Sequence, residues 1–241
     1  MNKRGWDMSR DVVSYAPDVG RKFSSSGCPL PFPGNTFLGH LEQQGGGFDT
    51  FDTILNVYRV LPKSRFFRKL AVLPTSSYHI TLFVGVNEYD RRSGPWPVGI
   101  SRKESMESLN TSFLKKLKLR QPDMSAPFEF IVDLDAPLPG ENDNLFIPLK
   151  PASQEIYTRL QNLRDELSDI TGIRRDDHSS YQYHITLGYL VATLDEVQLT
   201  EYRAKNREWR EMIAKAGKIT IKKFYFCILQ DMYSFRSICV I

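Results

Sequence analysis

Two rhythms of apolar residues run along the chain, one of period two and one of period 3.6, and their order predicts a mixed α and β fold. Thr36 to Leu41, Leu70 to Leu73, Tyr78 to Val86, Phe128 to Leu134, Leu145 to Leu149 and Tyr183 to Leu190 are short runs rich in β-branched and aromatic residues, and read as strands. Ile219 to Leu229 and Arg236 to Ile241 read as a closing hairpin around the turn Asp231 to Ser234. Helical spacing appears over about 49–61, over 102–119 through Met106, Leu109, Phe113, Leu114 and Leu117, and again over 194–216. Ile156, Leu160, Leu163, Leu167 and Ile170 form a further stripe that stops at Gly172. Ser101 with Glu104, and Thr193 with Glu196, have the spacing of capping boxes opening two of these helices.

Residues 1–35 lack such rhythm and are punctuated by Gly20, Ser24 to Ser26, Gly27, Pro29, Pro31, Pro33 and Gly34, which predicts an extended N-terminal arm laid over a core. Pro122 to Pro127 interrupts the pattern near mid-chain. Strands and helices intermix without regular βαβ alternation or a glycine fingerprint, so the expected class is α+β with largely antiparallel pairing.

Composition narrows this only slightly. With 241 residues, 41% of them hydrophobic, the chain carries enough apolar surface for a real core and is unlike a disordered, collagenous or coiled-coil sequence. No stretch approaches the ~18 apolar residues of a membrane span. Met1 to Gly20 has no apolar run of the kind a signal peptide carries, so a cytoplasmic protein without a membrane partner is expected. Cys28, Cys227 and Cys239 are widely separated and odd in number, which points to reduced thiols rather than a disulfide framework or a zinc site. A net charge of +4 suits a phosphate-bearing ligand and falls short of what a protein coating duplex DNA shows.

The chemistry begins with a repeat. Tyr78-His79-Ile80-Thr81-Leu82 returns letter for letter as Tyr183-His184-Ile185-Thr186-Leu187, 105 residues later (184 minus 79), in a chain holding four histidines. Strand alternation puts His79, Thr81 and Phe83 on one face and Tyr78, Ile80, Leu82 and Val84 on the other. In the second copy it groups His184 and Thr186 with Gly188, against Tyr183, Ile185, Leu187 and Tyr189. An imidazole beside a hydroxyl, twice, each backed by an apolar face, suits a polar cleft between two equivalent half-sheets.

These paired His-x-Thr tetrads resemble the two-histidine (2H) phosphoesterase superfamily, whose members include RNA 2′,3′-cyclic phosphodiesterase/ligase-like proteins. Pro31-Phe32-Pro33-Gly34-Asn35-Thr36, with His40 after it, resembles a bacterial and fungal branch of unknown function. The resemblance implies a bilobal fold with pseudo-two-fold symmetry, two largely antiparallel sheets lining a central cleft and helices outside. It implies one domain over 36–241, with lobes of about 36–125 and 126–241 whose strands can interleave. It further implies a phosphodiesterase needing neither metal nor other cofactor, acting on 2′,3′-cyclic phosphates of RNA ends or small nucleotides, with His79 and His184 as the acid–base pair and Thr81 and Thr186 as phosphate ligands. Imidazole, with a reference pKa near ~6.5, serves either role at neutral pH.

Alternatives stay open at this level. The same fold suits another phosphodiester, such as an oligonucleotide end, a cyclic oligonucleotide or an ADP-ribose cyclic phosphate, and also a silent nucleotide- or RNA-binding module. A zinc site would need His79, His184 and a third ligand such as His178 or Asp177, yet threonine is a poor zinc ligand and His178 is expected in a solvated turn. Phe83 is a candidate to stack a base, with core packing as the alternative. His40 is a candidate cleft residue, with a satisfied core histidine as the alternative. The run from Lys115 to Arg120 reads as a solvated helix end, where cations suit the dipole.

Overall fold

Among the residues described by the computed structural model, 14–120, 122 and 127–241, nine strands build two antiparallel sheets. The order along the chain is β1 (Gly34–His40), α1 (Phe48–Val60), β2 (Leu70–Val72), β3 (His79–Asn87), a single turn α2 (Asp90–Ser93), α3 (Met106–Arg120), β4 (Phe128–Val132), β5 (Leu145–Pro151), α4 (Gln154–Thr171), β6 (Tyr183–Leu190), α5 (Glu196–Ala216), β7 (Ile219–Ile221), β8 (Tyr225–Leu229) and β9 (Phe235–Val240). The start of the N-terminal arm, residues 1–13, and the expected lobe boundary at 125/126 lie outside the described residues.

The four-stranded sheet has the order β3-β1-β8-β9 and the five-stranded sheet β2-β6-β5-β4-β7, so each draws strands from both halves of the chain. The four-stranded sheet curls so that side chains of its two edge strands meet, with the His79 ring on β3 4.5 Å from the Phe235 ring on β9. Helices cover the outer faces. The stripe Ile156, Leu160, Leu163, Leu167 and Ile170 of α4 is buried, and this helix packs on β3, β4 and β5. Its start is capped by Ser153, whose side chain accepts from Ile156 N, and it ends at Gly172 in the left-handed region (φ 72°). Tyr202, Trp209 and Ile213 of α5 are buried as that helix packs on β4 and β5, and α5 in turn packs against α1.

Three local expectations are corrected. The run Ile219 to Leu229 is two strands: β7 pairs with β4 and β8 with β1, because the chain changes sheets at exposed Lys222 and Lys223, with fully buried Phe224 pinning the crossing. The capping box at Ser101 does not form, since Ser101 Oγ accepts from Lys103 N in a turn while Ser105 Oγ accepts from Ser108 N at 3.1 Å where α3 begins. At α5 the box is Asp195 with Gln198 rather than Thr193 with Glu196, because the Thr193 hydroxyl already bonds Asn142 Oδ1 at 2.8 Å.

Candidate active site

The repeated tetrads fall on β3 and β6, and the likeness continues beyond the shared letters. Starting from His79 and from His184, the sequence of half-buried and buried positions is the same for eight residues. The cause is a β-bulge placed identically in both strands. Against β1, Phe83 faces Phe37 and Thr81 faces Leu38, which leaves Leu82 as an extra residue. Against β5, Gly188 faces Leu145 and Thr186 faces Phe146, which leaves Leu187 extra. A bulge reverses the alternation beyond it. Positions one, three and six of each copy therefore face inward: His79, Thr81 and Val84 from β3, and His184, Thr186 and Tyr189 from β6.

All six line one cavity of about 280 Å³, near the lower end of the roughly 300–1,000 Å³ usual for small-molecule sites. The structure thus brings together the four residues His79, Thr81, His184 and Thr186. Phe83 is a correction: the bulge at Leu82 turns it into the core, where it is 2% exposed and its ring lies 5.8 Å from Phe37, so no face is open to a ligand. Val84 and Tyr189, expected on core faces, line the cavity instead. His40 stands outside the lining, opposite His79 in the β1–β3 register, with Nε2 3.2 Å from Ser237 Oγ.

The two imidazoles are oriented alike. His79 Nδ1 lies 2.6 Å from the carbonyl oxygen of Ser77, and His184 Nδ1 lies 2.9 Å from that of Gln182. A carbonyl only accepts, so in each ring Nδ1 carries the hydrogen and the neutral form leaves the Nε2 lone pair for a ligand. Burial, with smaller contributions from His40 and His184, pulls His79 down to about 4. Burial and the positive charge of Lys22 lower His184. Both rings are therefore neutral at neutral pH until an anion arrives to favour protonation.

Sequence reasoning missed the cations around this pair. Arg21 and Lys22, from the N-terminal arm, and Arg175, from the turn before β6, line the cavity, as do Phe32 and Phe235. Asp18 holds Arg21, and Asp90 holds Arg175 at 2.5 Å. The only signal available was the Arg21-Lys22 pair just upstream of Pro31-Phe32; its meaning depends on where the arm folds.

Behind the lining, Arg164 of α4 is 3% exposed and donates to the carbonyls of Leu82 and His178. Its guanidinium sits 4.3 Å from the Tyr181 ring, and the Tyr181 hydroxyl interacts with Thr81. Arg164 thereby ties the β3 bulge to the segment leading into His184. His178 is also a correction: it is 3% exposed, held by its carbonyl to Arg164 and by Nε2 to Asp165 Oδ1 at 2.9 Å, because a buried arginine draws its turn inward. Among the described residues, no group of three His, Cys, Asp or Glu side chains has the arrangement of a metal site, and no helix is long and apolar enough to cross a membrane.

Two antiparallel sheets set the paired His-x-Thr tetrads around one cleft, the arrangement that the resemblance to two-histidine phosphoesterases implies. Residues 22–138 match the family described as 2H-phosphodiest, a domain of unknown function (DUF1868). A crystal structure of a conserved protein of unknown function from Agrobacterium tumefaciens str. C58 is similar over 93% of this chain and 93% of that chain, with 28% identity and a TM-score of 0.82. A crystal structure described as a phosphoesterase is 12% identical over 88% of this chain and 98% of that chain, with a TM-score of 0.46. No curated protein matches the chain.

Proposed function

We propose that this protein hydrolyses 2′,3′-cyclic phosphates of RNA ends or small nucleotides, with His79 and His184 as the acid–base pair and Thr81 and Thr186 as phosphate ligands. The observation that carries the reading is the shared orientation of the two imidazoles, each tied through Nδ1 to the carbonyl two residues before it and each lining the same cavity.

The Nε2 of one neutral histidine takes a proton from water as its oxygen bonds to phosphorus. The other histidine, protonated once the substrate anion is bound, gives its proton to the ribose oxygen as the P–O bond breaks. The products are a phosphomonoester and a free ribose hydroxyl, and the proton taken up by the base returns the pair to its starting state after exchange with solvent. The threonine hydroxyls donate to non-bridging oxygens and hold the phosphate in line. The donor set suits catalysis without a metal, since the histidines are paired with threonines and the carboxylate in the lining, Asp90, is held by Arg175.

The test offers 2′,3′-cyclic nucleotides, cyclic-phosphate-ended oligonucleotides and ADP-ribose cyclic phosphate to the purified protein in excess chelator. Turnover of a 2′,3′-cyclic phosphate, lost by ~10² or more in His79→Ala and His184→Ala with little change in Tm, supports the reading. Turnover unchanged in both variants, or present only after a divalent metal is restored, refutes it.

A further inference from the structure

Lys22 brings to the cavity a positive charge whose acidic neighbour, Asp18, is shared with Arg21. Asp18 Oδ1 accepts from the Nε and Nη2 of Arg21, and Asp18 Oδ2 accepts from Asn144 at 3.0 Å. The Lys22 ammonium stands 3.5 Å from the same Oδ1, longer than a well-formed hydrogen bond. One carboxylate thus faces two cations and holds Arg21 more closely than Lys22. The Lys22 side chain is 18% exposed, with its ammonium 4.7 Å from the centre of the Tyr189 ring and 5.8 Å from that of Phe32. Water is largely excluded there, yet the ammonium lines the wall it shares with His184, Thr186 and Tyr189.

Its position is fixed by the backbone rather than by a flexible tail. Lys22 N donates to the Asp18 carbonyl at 2.9 Å, Leu30 N donates to the Lys22 carbonyl at 2.8 Å, and the next residue, Phe23, is fully buried with its ring 5.0 Å from that of Tyr189. A partly desolvated ammonium with unused donors, held against the ring whose β6 neighbours are His184 and Thr186, is complementary to an anionic oxygen and reorganises little when one arrives.

We propose that Lys22 is a phosphate-binding catalytic residue, its ammonium donating to a non-bridging oxygen of the phosphodiester held between the two histidines; this rests on the phosphodiesterase reading above. The N-terminal arm then forms part of the active site, and the charge that two threonine hydroxyls leave unanswered is met from above the cleft. Its field also opposes protonation of His184 until an anion lies between them.

The full-length protein is tested as Lys22→Met, with Lys22→Gln as a second truncation of charge should the first fail to fold, and exposed Lys150→Met as control. Two quantities are measured beside Tm: kcat/KM on a 2′,3′-cyclic nucleotide, and the affinity for inorganic phosphate by calorimetry. The expected result is a fall in kcat/KM of ~10² or more and phosphate binding weakened ~10-fold, partly restored in Lys22→Arg, with Lys150→Met unchanged. An unchanged kcat/KM in a folded Lys22→Met overturns the proposal. Should the wild-type protein hydrolyse none of the substrates, the phosphodiesterase reading fails, and phosphate titration still decides the role of Lys22: equal affinity in wild type and variant, or no binding by either, overturns it.

Discussion

Leu82 and Leu187 are structural equivalents: each is the extra residue of a bulge that directly follows the threonine of its tetrad, and each bulge turns the residue two further on, Val84 or Tyr189, into the cavity. The pseudo-symmetry of the site therefore resides in backbone geometry as well as in the repeated letters. Where the side chains differ, the geometry still agrees, and the difference between Val84 and Tyr189 is a difference between what β3 and β6 present to the cavity.

Substitutions at neighbouring residues of β3 separate these roles. Phe83→Ala empties a core site and is expected to cost about 3–5 kcal/mol in denaturant unfolding, with kcat/KM in the remaining folded protein close to that of wild type. Val84→Trp fills cavity space and is expected to raise KM at least several-fold with a smaller change in stability. Alternation without the bulge predicts the opposite pair of outcomes, so the two measurements discriminate.

Burial holds His79 neutral at about 4 against an ordinary value near 6.5. Below pH ~6.5 the unfolded chain takes up a proton that the folded protein refuses. Its contribution is thus fully present above pH ~6.5 and is lost as pH falls toward about 4, amounting to no more than roughly 3 kcal/mol. Unfolding measured between pH 7 and 4.5 should show stability falling with pH, and the slope should flatten in His79→Gln. A slope unchanged in that variant would assign the effect to other groups, the lowered His184 and His40 first.

Arg164 carries stability and alignment together. Arg164→Met deprives the carbonyls of Leu82 and His178 of a charged donor and is expected to cost about 2–4 kcal/mol. Tyr181→Phe keeps the ring against the guanidinium and removes only the hydroxyl that meets Thr81. It should therefore lower kcat more than it lowers Tm. Equal loss in both quantities would point to packing alone.

The three thiols should differ in reactivity. Cys28 is exposed, whereas burial raises Cys227 to about 11 and also raises Cys239. A chromogenic disulfide reagent at pH 8 should label Cys28 quickly and the other two only on unfolding. Cys28→Ser should abolish the fast phase.

The residues that were legible in the sequence share one property, which is that local periodicity determined them. His79, Thr81, His184 and Thr186 lie before the bulges, where strict alternation holds, and the α4 stripe with its Gly172 stop follows helical period and capping. Phe83 and Gly188 were misplaced because a bulge is set by pairing with β1 and β5, which a single strand does not encode. The places of Lys22 and Arg175 in the cavity lining were not readable because they depend on where the arm folds and on a turn drawn in by Arg164. Nor was the split of 219–229, since a change of sheet leaves only two lysines as its mark.

The strand order of the curled sheet also sets how much of the chain must be present before the cleft is complete. β3, which carries His79, pairs with β1; β1 needs β8, and β8 needs β9, so residues 34–40 wait for partners at 225–229 almost two hundred positions away. Contacts of such span close slowly because the intervening chain must be ordered first. During synthesis, His79 leaves the ribosome early but gains its walls only when residues 225–240 have followed. Leu229, Met232 and Phe235 are part of the cleft's lining, so a nascent chain that stops short of β8 carries both tetrads without a complete site between them.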